Sequence, residues 1–343
     1  MEKSKRIIYL DMLKILSCIF VVLIHVTAPG FHDIKLRSLS WNVNLFFNML
    51  GRFAVPVFIM VSGALFLDNE KEIDIKKLWK KNILRLVIIY IVWTLIYSIY
   101  ALYNGSETIN FISIIKKSIR SSYYHLWFLP MIIAIYVIIP LLKPFTKNKK
   151  LIEYFLLIFF FLKIIPYTLD LFKVSYIAQI VKRIDVPLLS YTGYFILGHY
   201  LNKYEIEKKK RIIIYIIGII SFIISVVGTS LFSIYMKKAT ETFARELSLT
   251  SFFLSVFVFV FIKYKYQNKE ISERIKKIII HLSKHTLGVY LIHPLFRDII
   301  KNQMNISFNR LTNLPIIFAI MLLISYIISY ILSKIPKINK YLV

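Results

Sequence analysis

The sequence predicts an all-α integral membrane protein, a bundle of about ten transmembrane helices, and three observations carry that prediction. Of the 343 residues, 58% are hydrophobic and 16% aromatic, and the mean hydropathy is +0.66, far above that of an ordinary soluble domain. Apolar stretches recur along the whole chain, each near the roughly 20 residues that a helix needs to cross the hydrocarbon layer. Only short charged clusters separate them. A closed barrel is the one other spanning architecture, and these stretches are too long and too evenly apolar for its alternating strands. Residues 1–343 therefore read as a single polytopic membrane domain.

The expected helices follow in order. The first, 7–28, comes after Lys3, Lys5 and Arg6 as a secretory signal would. It carries Asp11 and Lys14 inside it and lacks a small-residue cleavage site, so it reads as a retained span. The second, 43–67, holds Arg52 within NLFFNMLGRFAVPVFIMVSGALFL, with Pro56 to bend it and Ser62 and Gly63 to admit another backbone or a ligand. The basic cluster Lys76, Lys77, Lys80, Lys81 and Arg85 opens the third, 83–103. HLWFLP, residues 125–130, opens the fourth, 124–145, and the fifth and sixth are expected at 151–169 and 184–202. Lys208, Lys209, Lys210 and Arg211 precede the seventh, 212–235, and the eighth is expected at 247–265. The ninth, 279–299, contains TLGVYLIHP, and the tenth covers 314–334.

The net charge of +27 would point to nucleic acid in a soluble protein. Here the positive residues sit between spans, where they act as topology signals and meet anionic lipid headgroups, so no nucleic-acid partner is expected. The segments on the amino-terminal side hold more Lys and Arg than those on the opposite side, which places both termini in the cytoplasm of a multi-pass cell-membrane protein. Cys18 is the only cysteine, so an internal disulfide is excluded and a packing role is expected. No Gly-rich phosphate loop and no zinc-type Cys or His spacing occurs, and neither a metal nor a bound cofactor is expected. An internal inverted repeat, common in secondary transporters, is not evident.

Ionisable side chains inside spans are costly and mark function. Asp11, Lys14 and His25 share the first helix, and the eleven steps from Lys14 to His25 bring the two within about 20° of one face. Asp11 stands at the i, i+3 spacing from Lys14, where the two offset each other's burial. His25 lies about 16 Å from Lys14 and about 21 Å from Asp11 along the axis, so Asp11 cannot be the carboxylate that orients it. Arg52 is too deep to snorkel and needs an internal acceptor, an anionic substrate group or a carboxylate such as Asp185. Thr286 and His293 lie seven residues apart on nearly one stripe with Tyr290 beside them, and His293 precedes Pro294, where a helix bends. Each has a plainer alternative: an interfacial histidine, a packing charge pair, and for HLWFLP with Trp127 an aromatic belt.

The ordered set YLDMLKILSCIFVVLIH, FAVPVFIMVSG, HLWFLP and LGVYLIHP resembles membrane acyltransferase family 3 along nearly the whole chain. In that family a Leu-Asp-x-x-Arg segment leads, eleven residues after its basic residue, to a histidine considered catalytic. His25 falls on that histidine. Lys14 falls on the arginine, and lysine keeps the charge but loses the planar fork. The stretch from Arg52 to Gly63 is similar to the branch containing bacterial surface-glycan O-acetyltransferases. The resemblance implies transfer of an acyl group, acetyl by family habit, from cytoplasmic acyl-CoA to a hydroxyl of a cell-surface polysaccharide or lipid-linked glycan precursor, in a bacterial plasma membrane. His25 and His293 would then be catalytic, with His25 as general base, and Asp11, Lys14, Arg52, Ser62, Arg85, Trp127 and Tyr290 would bind donor or substrate. An acyl-His25 intermediate fits the same position. The residues themselves leave a transporter or flippase open, with the same groups as a proton or substrate path.

Overall fold

Long apolar runs satisfy their backbone polar groups internally by coiling, and those among the described residues do so. A computed structural model describes residues 6–67, 73–105, 108–120, 123–171, 189–303, 306–308, 310–336 and 339–342. Among these every regular element is helical. They are α1 (Ile8–Asp33), α2 (Leu39–Phe66), α3 (Ile75–Asn104), α4 (Phe111–Arg120), α5 (Phe128–Phe145) and α6 (Lys149–Leu169), followed by α7 (Leu189–Lys203) and α8 (Lys208–Tyr235). The series ends with α9 (Leu249–Tyr266), α10 (Glu273–Lys284), α11 (Thr286–Asn302), α12 (Leu314–Lys334) and a short terminal turn. Side chains of Ser38, Asp74, Asn148 and Ser248 accept from backbone N–H groups at the starts of α2, α3, α6 and α9, satisfying donors that the first helical turn leaves open.

Eight of the described helices are long and apolar enough to cross a membrane, against the ten expected. Two expected spans account for the difference. The sixth, 184–202, begins outside the described residues, and only its part within Leu189–Lys203 is seen. The ninth, 279–299, divides at His285 into α10 and α11. Residues 273–284 carry charged groups on one face and Ile275 and Ile278 on another, a two-sided pattern that ends at the turn rather than running on as an apolar rod.

The middle of the bundle is α1, which packs against both halves of α2 and against α9, α10, α11 and α12. Glycines set how closely the helices approach. A Cβ on Gly63 of α2 would stand 1.7 Å from the Phe195 carbonyl oxygen of α7, and one on Gly198 would stand 1.9 Å from the Met60 oxygen. The two helices thus meet backbone to backbone, each through the other's glycine. Gly51 does the same for α2 on α1, since a Cβ there would be 2.6 Å from Ile24 Cγ1. That contact brings a short 3-10 turn, Gly51–Phe53, and with it Arg52, alongside the segment of α1 that carries His25.

Candidate active site

The two histidines singled out on α1 and α11 meet. His25 Nδ1 lies 2.6 Å from His293 Nε2, with ring centroids 4.9 Å apart and planes inclined by 11°, so the rings join edge to edge in one plane. On its other side His293 Nδ1 is 3.0 Å from the carbonyl oxygen of Val289, one turn back along α11. A carbonyl only accepts, so His293 Nδ1 carries the proton and, in the neutral ring, Nε2 holds the lone pair. His25 must then donate from Nδ1, which leaves the lone pair of His25 on Nε2. His293 is fully buried and His25 half-buried, so the exposed member of the pair is the one with a free lone pair.

Aromatic groups enclose this pair. The Tyr124 ring meets the His25 ring edge-on at 5.2 Å, and the Arg297 guanidinium lies 4.6 Å from the Tyr124 centroid, one turn beyond His293 on α11. The His125 ring sits 6.0 Å from that of His293, and the Tyr290 hydroxyl donates to the His125 carbonyl. Tyr97 of α3 donates to the Leu291 carbonyl at 2.7 Å, anchoring α11 beside the histidines. The Tyr123 ring stacks on Tyr97 at 4.2 Å, so the segment 123–127 is held on one side by α3 and on the other by α11.

A cavity of about 320 Å³ opens at the end of the bundle that holds Lys14 and reaches inward to Tyr290, one helical turn from His293. Lys14, Lys81, Arg85 and Lys284 line it together with Phe58, Phe128, Leu129, Ser62 and Ser283; Lys81 and Lys284 are exposed while Leu129 and Tyr290 are buried, so the cations stand toward its mouth. Four cations at the mouth of an apolar cleft suit a ligand with an anionic head and a slender neutral arm. Asp11, 3% exposed, is held most closely by Arg6 at 2.5 and 3.0 Å and by the Ser283 hydroxyl, and it keeps a longer ion pair of 3.8 Å with Lys14 Nζ.

Of the residues singled out in the sequence, His25 and His293 are joined, and Lys14, Ser62, Arg85 and Tyr290 share the cavity, with Asp11 beside Lys14. Arg52 and Trp127 are not among its lining residues. Trp127 packs on Phe128 and Tyr191 at ring distances of 6.4 and 5.5 Å and is 37% exposed. Arg52 stands at the His25 end of the bundle, where it donates to Asn48 Oδ1 from Nε at 3.0 Å and to Glu241 Oε1 from Nη2 at 2.9 Å. Its carboxylate partner is thus Glu241; the alternative considered from the sequence, Asp185, lies outside the described residues. A hydrogen bond from His32 and the Arg52 guanidinium hold the Glu241 carboxyl well below the usual carboxylate range.

Sequence reasoning missed Tyr124, Arg297, Asn48, Glu241 and Lys284 as neighbours of the site. Arg297 had a usable signal, being four residues after His293 and so on the same face. Glu241 had none, because it comes from the segment between α8 and α9, where no periodicity constrains placement. The family model for the acyltransferase domain, acyltransferase family 3, matches residues 7–334. Neither curated proteins nor solved structures gave a match.

Proposed function

This chain belongs to acyltransferase family 3 and is a membrane O-acyltransferase, and from that premise we propose that it moves an acetyl group from cytoplasmic acyl-CoA to a glycan hydroxyl. The donor enters the cavity from the Lys14 end. Its phosphates meet Lys14, Lys81, Arg85 and Lys284 at the mouth, and its thioester arm lies between Phe58, Phe128 and Tyr290. The acceptor, a hydroxyl of a cell-surface polysaccharide or lipid-linked precursor, approaches from the His25 end.

The observation that carries this reading is the hydrogen-bonded series Val289, His293, His25, which leaves a basic nitrogen at His25 Nε2. The acceptor hydroxyl gives its proton to that nitrogen as its oxygen attacks the thioester carbonyl. The tetrahedral intermediate collapses to the ester, the carbon–sulfur bond breaks, and the proton passes from His25 to the thiolate to give free CoA. His293 holds His25 in the required tautomer and shares the imidazolium charge through the same bond, as a positioning partner does in a catalytic triad. Release of free thiol from acetyl-CoA, with label appearing on acceptor, tests the reading. Loss of both in a folded His25→Ala protein is expected, and full retention contradicts it.

A further inference from the structure

Among the buried polar groups that the mechanism leaves unused is the Arg52 and Asn48 assembly at the His25 end. Asn48 is fully buried and Arg52 is only 10% exposed at its side chain, so neither meets bulk solvent freely. The Asn48 amide works in two directions. Its Oδ1 accepts from Arg52 Nε at 3.0 Å and from Nη2, and its Nδ2 donates to the Ile24 carbonyl at 3.3 Å and to Thr27 Oγ1 at 3.2 Å. Thr27 Oγ1 in turn donates to the Leu23 and Ile24 carbonyls at 2.8 and 3.2 Å. Every one of these contacts on α1 lies within two residues of His25.

That stretch of α1 lacks one of the helix's own hydrogen bonds. Pro29 lies inside α1 and has no N–H, so the His25 carbonyl loses the partner that a regular helix supplies four residues on. A turn weakened in this way needs outside restraint if the imidazole is to meet His293 at 2.6 Å. Gly51 lets α2 approach closely enough to give it. The guanidinium charge is balanced by Glu241 at 2.9 Å, which leaves the arginine with a protein carboxylate rather than a vacant anion site.

We propose that Arg52 and Asn48 are positioning residues that fix the Pro29-weakened turn of α1, and with it His25, rather than binding residues for donor or acceptor. This inference rests on the reading of His25 as the base. Asn48 Nδ2 provides the restraint, Arg52 orients the amide so that its nitrogen faces α1, and Glu241 neutralises Arg52. Asn and Arg are suited to this pairing, because the fork of Arg52 takes one amide oxygen from two nitrogens and leaves the amide donor for the backbone.

The test is acetyl transfer by purified full-length protein in liposomes, with acetyl-CoA as donor and a glycan-containing membrane extract as acceptor, and with His25→Ala run alongside. Asn48→Asp keeps an oxygen for Arg52 but removes the donor to Ile24 and Thr27. The expected result is a kcat lower by about 10- to 100-fold with KM for acetyl-CoA within about twofold of wild type, the pattern of a misplaced base. Asn48→Asp combined with Glu241→Gln restores the charge count without the donor and stays impaired. Thr27→Val, nearly isosteric, removes one of the two acceptors of the amide and costs about 3- to 10-fold in kcat. Wild-type kcat in folded Asn48→Asp and Thr27→Val, or recovery in the double variant, overturns the positioning role while leaving His25 as base. A raised KM with intact kcat in Arg52→Lys assigns Arg52 to substrate and likewise overturns it. Activity retained in His25→Ala removes the underlying reading itself.

Discussion

His293 decides which nitrogen of His25 is basic, and that is a property of a few atoms. With Nδ1 of His293 given to Val289, its Nε2 can only accept from a neutral partner, so His25 is held with Nε2 outward. Replacing His293 by Ala frees His25 to adopt either tautomer and either ring orientation. We expect kcat to fall by about 100-fold with little change in KM for acetyl-CoA, and His293→Gln, whose amide oxygen still accepts, to retain more activity than His293→Ala. Equal activity of His293→Ala and wild type contradicts this. Glu241 gives a prediction in pH. Its carboxyl is depressed first by the hydrogen bond from His32 and then by Arg52, so it stays charged in the folded protein at acidity where the unfolded chain has bound a proton. The unfolded state binds more protons there, so the stability from this group is complete above the unfolded value of about 4.3 and is lost as pH falls below it. Thermal unfolding of wild type below about pH 4 is expected to decline more steeply than that of Glu241→Gln, and parallel curves contradict the assignment. At Lys14 the sequence was only partly legible. The i, i+3 spacing correctly paired it with Asp11, but Arg6 holds that carboxylate more closely, and this follows from how the chain enters α1 rather than from helical periodicity.

Elements place the site where single residues cannot. The α2 and α7 contact through Gly63 and Gly198 is tight against backbone atoms, which cannot rotate aside. Gly63→Val is expected to cost at least about 1–3 kcal/mol and lower the thermal midpoint and membrane yield, whereas Gly228→Ala, whose nearest neighbour is the Phe243 ring at 3.0 Å, is expected to cost less. Similar unfolding curves for the two contradict this account of the packing. The start of α3 and the turn between α10 and α11 bring Lys81, Arg85 and Lys284 to the cavity mouth beside Lys14. If the donor lies as proposed, Lys81 and Lys284 meet the part of it that does not react, so removing them together is expected to raise KM for acetyl-CoA by about tenfold or more with kcat nearly unchanged. A drop in kcat alone would place them elsewhere in the reaction. The sequence pattern located most spans because a long apolar run has few alternatives in lipid. It failed at 279–299, where a stretch of mixed polarity runs into an apolar one and only the turn at His285 separates them.

At the scale of the whole molecule, the histidine pair and the cationic cavity stand toward opposite ends of one bundle, linked by Tyr290 and His293 on successive turns of α11. On the proposed function, the donor and the acceptor approach from different sides without sharing an entrance. The fold class was legible because composition and run length leave only a helical bundle, and the histidines were legible because ionisable groups inside spans are few. Their pairing was not, since α1 and α11 lie 268 positions apart at the contact and nothing local to either specifies the other. Glu241 entered the site through tertiary packing in the same way, whereas Arg297 shares the α11 face of His293. The most direct measurement is acetyl-CoA thiol release, with transfer of labelled acetyl to a glycan-containing membrane extract, by wild type and by His25→Ala at equal folded amounts in membranes. Thiol release coupled to label on acceptor is expected in wild type and loss of both in His25→Ala; undiminished release and labelling in the variant would contradict His25 as the base.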